Sequence, residues 1–92
     1  MSTLPEPTAT YRQSFATHPR PTPEQDDAYR RSCVLASVDR ARMAGGSPVT
    51  APEVTEEGRK LTVSFGTVKT TTLTDDERRL TDPLRLAWEL AP

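Results

Sequence analysis

The sequence has few of the residues from which a large hydrophobic core is built. It contains no isoleucine, eight leucines, six valines and two phenylalanines, so that 16 of its 92 residues are large aliphatic residues or phenylalanine. This share is lower than is usual for a globular domain. The shortage argues against a large enclosed active site and predicts one small domain. The net charge of −1 argues against the strong self-repulsion that is typical of disordered chains.

Features of exported, membrane-bound and nucleic-acid-binding proteins are also missing. The single cysteine cannot form an internal disulfide, and the first residues carry neither the basic nor the apolar segment of a signal peptide. No apolar run approaches the roughly 18 residues that a membrane span requires. Twelve basic residues against 13 acidic ones provide no basic stripe for a phosphate backbone. We therefore expect a cytoplasmic protein without membrane contact, and we disfavour nucleic acid as a partner.

The arginine content is informative about the source of the gene. Arginine outnumbers lysine ten to two, and asparagine is absent along with isoleucine. This bias is typical of GC-rich coding DNA. We expect the chain to come from a high-GC bacterium or its phage.

Residues 1–22 are predicted to form an extended arm rich in proline and threonine. Proline fixes its own φ and biases the residue before it toward extended conformations. Two interpretations of the arm remain open. It is a disordered tail, or it is a docking segment in which Tyr11 and Phe15, four residues apart on a short induced turn, insert into a partner.

A long helix is predicted from Pro23 to about Ala44. Thr22 is a suitable N-cap, proline fits the first helical position, and Gly45 and Gly46 end the helix. The apolar residues of this helix form two arcs. One arc contains Ala28, Val34, Leu35, Val38 and Ala41, and the other contains Tyr29, Cys33, Ala36 and Met43.

The two arcs allow two interpretations. In the first, one arc packs on the strands of this chain and the other binds a second subunit or a target. In the second, Ala36 and Met43 are ordinary exposed residues, while Tyr29 and Cys33 pack under the arm. We follow the first interpretation for the candidate partner-binding residues, which are Tyr11, Phe15, Tyr29, Cys33, Ala36 and Met43.

After the helix, the hydrophobic pattern changes to alternation. Leu61, Val63 and Phe65 are predicted to share the core face of a strand. Val68 is out of phase with them, which predicts a bulge or a bend at Gly66. The threonines that follow, up to Thr72, suit a strand exposed to water.

The last residues predict a kinked helix. Thr74 and Glu77 have the spacing of a capping box, which starts one helix. Asp82 and Pro83 have the features of a second start. Trp88 is the expected structural anchor of the fold, because it has the largest apolar area to bury.

No group of residues has the pattern of a catalytic or metal site. The only histidine, His18, lies in the arm and Cys33 in the helix, which is too little for a metal site or a nucleophilic dyad. Neighbouring acids such as Asp26 and Asp27 diverge on a helix and cannot act together on one substrate. We expect no catalytic residue, no metal, no cofactor and no enzymatic activity.

The sequence thus predicts a small α+β domain over residues 23–92, with one long N-terminal helix, a two- or three-stranded antiparallel sheet and a kinked C-terminal helix, preceded by the arm. The expected function is that of a non-catalytic protein-interaction module, acting as an assembly component, an adaptor or an inhibitor that occludes a surface. Its partner is another protein or a second copy in a homo-oligomer. The alternative is a small dimeric DNA-binding regulator, in which the arginines of two copies combine.

Overall fold

A computed structural model describes residues 4–81 of the chain. One face of a four-stranded antiparallel sheet is covered by a long helix, which confirms the expected small α+β fold. The strands are β1 (Ala9–Ala16), β2 (Gly46–Pro48), β3 (Glu53–Glu57) and β4 (Lys60–Lys69), and the helices are α1 (Pro23–Met43) and α2 (Asp75–Leu80).

The order of the elements corrects the prediction, because a strand and not the helix comes first. β1 lies within the segment that was expected to be an arm, and it pairs with β4 along its whole length, from Ala9 opposite Thr67 to Ala16 opposite Lys60. The short turn expected around Tyr11 is therefore wrong. Prolines flank β1 but do not interrupt it, and its partner strand lies far along the chain, where local sequence patterns carry no information about it.

Within residues 4–81 the sheet has four strands rather than two or three, and β4 is at its centre. β1 pairs with one side of β4, while β2 and β3 share the other side. Pro48 lies opposite Thr67 and Glu53 opposite Ser64, so the four residues 49–52 face only two residues of β4. The irregularity is therefore in this edge of the sheet and not at Gly66, where the sequence predicted it.

β4 itself is regular, and Val68 is out of phase with Leu61, Val63 and Phe65 because it lies on the opposite face of the sheet. Leu61, Val63 and Phe65 point toward α1 and form the main core. Val68 is buried in a second cluster with Val49 and other apolar residues. Its change of phase reflects a second buried site and not a shift in register. The members of the second cluster are Val49, Val68 and Leu73, with Leu4 packed against them.

Helix α1 begins and ends where the sequence predicts. The side chain of Thr22 accepts a hydrogen bond from the N–H of Gln25 at 3.1 Å, Pro23 occupies the first position, and Gly45 takes up a φ of 87° after the end. Such a φ is readily adopted only by glycine. The side of α1 that faces the sheet contains Cys33, Val34, Ser37, Val38 and Ala41.

Between β4 and α2 the structure differs from the prediction in one element. Thr70–Thr72 form a short 3-10 helix and not an exposed strand. Its geometry is fixed by local bonds, such as the one from the Thr72 hydroxyl to the carbonyl of Lys69 at 2.7 Å. The capping box of Thr74 and Glu77 is confirmed. The predicted kink after α2 and the anchor Trp88 lie outside the described residues.

Candidate functional site

The six residues predicted to bind a partner do not form one surface. Tyr11, Phe15 and Tyr29 are half-buried and pack against the main core, to which the buried Cys33 belongs. The remaining two residues, Ala36 and Met43, lie on the outer side of α1. Met43 is 83% exposed. The second arc of α1 is thus divided between the sheet side and the solvent side.

A charged cluster fixes the proline-rich segment between β1 and α1. The Arg20 guanidinium donates to Asp26 of α1 and to Glu56 of β3, each at 2.7 Å, and its side chain is 9% exposed. Arg30 donates to the same two carboxylates at 3.1 and 3.0 Å. These four side chains, which we call the Arg20 cluster, connect the segment to both layers of the fold.

Tyr29 lies beside this cluster and connects it to β1. The guanidinium carbon of Arg20 is 4.8 Å from the centre of the Tyr29 ring, and the ring of His18 meets that ring edge to face at 5.5 Å. The Tyr29 hydroxyl donates to the carbonyl of Ala16 at 2.5 Å. Tyr29 therefore packs within its own chain, and it occupies the last carbonyl of β1.

Ionisation in this region follows from the same contacts. The hydrogen bond from Arg20 lowers the pKa of the Asp26 carboxyl below its usual 3.8, and the hydrogen bond to Asp26 raises the pKa of Arg20. Burial raises the pKa of the Cys33 thiol above its usual 9.0. A thiol with a raised pKa is protonated at neutral pH and is a poor nucleophile.

The sheet face opposite α1 is polar along β1 and the first part of β4, away from the apolar second cluster. Its side chains include hydroxyls of β1 and β4, such as those of Ser14 and Thr62, whose oxygens are 3.2 Å apart. Arg12 of β1 and Glu53 of β3 lie on either side of Ser64 in one row across the sheet. Charges of both signs are present, and hydroxyls separate them.

The two edges of the sheet differ in the features that prevent edge-to-edge pairing. The edge formed by β2 and β3 is interrupted at residues 49–52, contains Pro48 and Pro52, and carries three glutamates within Glu53–Glu57. Such interruptions, prolines and charges are how natural sheets protect an edge. The edge formed by β1 is continuous over eight residues and carries one charge, that of Arg12.

Main-chain groups on the outer edge of β1 can be assigned from the ladder. The N–H of Thr17 donates to the carbonyl of Arg59 at 2.9 Å, which makes this a hydrogen-bonded pair. Because such pairs alternate in an antiparallel ladder, odd-numbered residues of β1 direct their main-chain groups to β4 and even-numbered ones direct theirs outward. The outward groups are those of Thr10, Arg12, Ser14 and Ala16. No strand within residues 4–81 pairs with them.

Sequence reasoning missed this edge, although a signal for it was present. Between Thr10 and Phe15 the two aromatic residues, Tyr11 and Phe15, are both at odd positions and Arg12 and Ser14 are at even ones, which is compatible with the period of a strand. The prolines on both sides made the whole segment resemble an arm. A strand that is flanked, but not interrupted, by proline is compatible with an edge position.

The described part of the chain has neither a cluster of metal ligands nor a membrane-spanning helix. Residues 4–81 contain no group of three or more His, Cys, Asp or Glu side chains placed to hold a metal ion. Neither helix described is long and apolar enough to cross a membrane. Comparisons of the chain with models of protein families, with curated proteins and with solved structures found no match.

Proposed function

We propose that this chain is a non-catalytic protein-interaction module that binds by adding its first strand to a strand of its partner. In this role it is an assembly component, an adaptor or an inhibitor that occludes a partner's surface. The observation that carries the proposal is the continuous outer edge of β1, whose main-chain groups have no strand partner among residues 4–81. From the composition we further propose that the chain acts in the cytoplasm of a high-GC bacterium, or of a cell infected by its phage.

Strand addition suits the chemistry of this edge. Main-chain N–H and C=O groups supply the affinity in this mode of binding, and the side chains on the two faces supply the specificity. On β1 these are the half-buried Tyr11 and Phe15 on the helix side, and Arg12 and Ser14 on the open side. A partner strand that covers the edge would also cover the exposed parts of the two rings.

The test is a substitution that blocks the outer edge and leaves the bonds to β4 in place. Ser14→Pro removes an outward N–H, and proline is tolerated on an edge strand when its missing donor faces solvent. Ser14→Ala is the matched control, because it removes the hydroxyl that contacts Thr62 but keeps the N–H. Tagged wild-type and variant chains are expressed in the source cell, and the sizes of their crosslinked complexes are compared.

We expect the wild type and Ser14→Ala to be recovered in complexes and Ser14→Pro to be recovered alone, with circular dichroism showing that all three are folded. Equal recovery of complexes by Ser14→Pro would overturn strand addition at β1. Tight binding of the purified chain to duplex DNA, weakening steeply as salt is added, would overturn the proposal in favour of the DNA-binding alternative.

A further inference from the structure

We infer that the partner strand at this edge is β1 of a second copy of the chain, paired antiparallel about a twofold axis at Gln13. The inference rests on the proposed function and names its partner. The pairing joins two sheets into one continuous sheet with β1 at its centre. Both copies of α1 then lie on the same face, because an antiparallel pair related by this axis keeps each side chain on its own face.

The free part of the edge limits the possible registers. Tyr29 already occupies the outward carbonyl of Ala16, so the residues of β1 whose outward N–H and C=O groups both lack a partner among residues 4–81 are Thr10, Arg12 and Ser14. Outward-directed residues must pair with outward-directed residues to form the narrow hydrogen-bonded pairs. The axis therefore passes through a residue of the strand, and the two positions that pair the most residues of β1 are Arg12 and Gln13, with seven residues paired in each case.

Charge decides between these two axes. An axis at Arg12 places that guanidinium directly opposite its own copy, and like charges directly opposite each other destabilise a strand pair. An axis at Gln13 places Arg12 opposite Ser14 of the second copy, twice. The two charges are then offset from each other, and the two central pairs supply four main-chain hydrogen bonds.

The same register brings aromatic side chains together on the helix side. It places Tyr11 of each copy opposite Phe15 of the other copy. Aromatic pairs are favourable across neighbouring strands. Tyr11 already contacts the core ring of Phe65, with ring centres 5.4 Å apart. The pairing therefore extends the aromatic part of each core across the interface and buries surface that is half-exposed in one copy.

Gln13 at the axis can pair with itself. The hydroxyl of Tyr11 donates to the Oε1 atom of Gln13 at 2.6 Å, which leaves the side-chain amide N–H groups of Gln13 directed to other acceptors. A glutamine carries both donors and acceptors, so two copies can satisfy each other. A charge at this position cannot do so.

The other edge of a second copy fits β1 less well. The two-residue turn after Glu57 makes the pair of Glu57 and Lys60 a hydrogen-bonded one, so β3 directs outward only the main-chain groups of Val54 and Glu56. The Glu56 carboxylate is already bound by Arg20 and Arg30. A contact between β1 and β3 would also leave free edges and build an open chain of copies.

The test uses opposite charges at the axis. In Gln13→Lys a lysine faces a lysine, and in Gln13→Glu a glutamate faces a glutamate, so each variant alone should dimerise up to about fivefold more weakly than the wild type. An equal mixture of the two should form a mixed dimer at or above wild-type strength. Gln25→Lys and Gln25→Glu are matched controls, because Gln25 is the other glutamine and is exposed on α1.

Sedimentation equilibrium and native mass spectrometry measure these dimers. The expected result is a wild-type dimer, weaker homodimers of both Gln13 variants, restoration in the mixture and no change in the Gln25 variants. Hydrogen exchange provides a second measurement on the wild type alone. The amides of Arg12 and Ser14 should gain protection as the protein concentration rises, while that of Gln13, bonded to β4, should stay protected throughout.

Other outcomes overturn the inference in different ways. A wild-type monomer whose Arg12 and Ser14 amides exchange freely at high concentration excludes self-pairing. If such a monomer still forms cellular complexes that Ser14→Pro abolishes, the proposed function stands and only its partner is different. A dimer that neither the Gln13 substitutions nor Ser14→Pro weakens is held by another surface and overturns self-pairing at β1. If Ser14→Pro also leaves the cellular complexes unchanged, the proposed function is overturned as well. If each Gln13 variant dimerises more weakly than the wild type and the mixture does not restore dimerisation, the axis at Gln13 is excluded.

Discussion

Of the four glycines, Gly66 in the central strand has the least room for a side chain. A methyl group added there would lie 2.6 Å from Cβ and 2.9 Å from Cγ of Pro7, and 3.2 Å from Cγ2 of Thr50. Carbon atoms that are not bonded prefer a separation of about 3.5–4.0 Å. The proline ring cannot rotate out of the way, so Gly66→Ala should push the chain before β1 off the sheet.

Two opposing effects set the size of the change. The φ of Gly66 is not positive, so alanine fits the backbone and stabilises by about 0.4–1 kcal/mol through the unfolded state. Overpacking costs about 1–3 kcal/mol. We therefore expect Gly66→Ala to lower the free energy of unfolding by about 1–2 kcal/mol. Each kcal/mol should lower the melting temperature by about 4–8 °C.

The assay is urea and thermal unfolding followed by circular dichroism, in a double-mutant cycle with Pro7→Gly. Once the ring is removed, Gly66→Ala should become neutral or stabilising by up to about 1 kcal/mol. Gly58→Ala is the control, because Gly58 has a φ of 62° and no atom within 4 Å of an added methyl group. Its loss, about 1–2 kcal/mol from backbone strain, should be the same in both backgrounds. If Gly66→Ala is equally destabilising with and without the Pro7 ring, the steric explanation is wrong.

Three further predictions concern charge, reactivity and capping. The Arg20 hydrogen bond lowers the pKa of Asp26. The ionised Asp26 therefore contributes to stability above the usual carboxyl pKa, and this contribution is lost as the pH falls through the lowered pKa. The urea midpoints of wild type and Asp26→Asn should converge on acidification, and a constant difference would contradict this. The buried Cys33 should react with a thiol reagent at least about tenfold more slowly in the native than in the urea-unfolded protein, and equal rates would show that it is accessible. Thr74→Ala should destabilise α2 by about 0.5–2 kcal/mol, seen as faster amide exchange, whereas Thr74→Ser should retain the hydrogen bond to the N–H of Glu77.

Features that depend on neighbours in sequence were predicted well. The start of α1 at Thr22 and Pro23, its end before Gly45 and the capping box at Thr74 all depend on contacts within a few residues. The alternation of Leu61 to Phe65 correctly identified the core face of β4, because side chains in a strand point alternately to its two faces.

Features that depend on distant parts of the chain were not predicted. The sequence of β1 shows weak alternation between prolines, and only its pairing with β4 makes it a strand. Val68 appeared out of phase because the prediction assumed a single buried face, whereas Val68 lies in a second cluster on the opposite face of the sheet. The Arg20 cluster joins residues that are far apart in sequence.

The caps of α1 and the alternation in β4 are local patterns, and they were sufficient to predict a small fold with a long helix and an antiparallel sheet. The scarcity of large apolar residues predicted a modest core. The sequence by itself did not determine where the exposed surfaces of that fold lie. Tertiary structure alone decided that the proline-flanked segment is an edge strand, because the hydrogen bonds that hold it come from β4. The candidate site follows from that pairing, since a strand bonded on one side directs every second pair of main-chain groups away from the sheet.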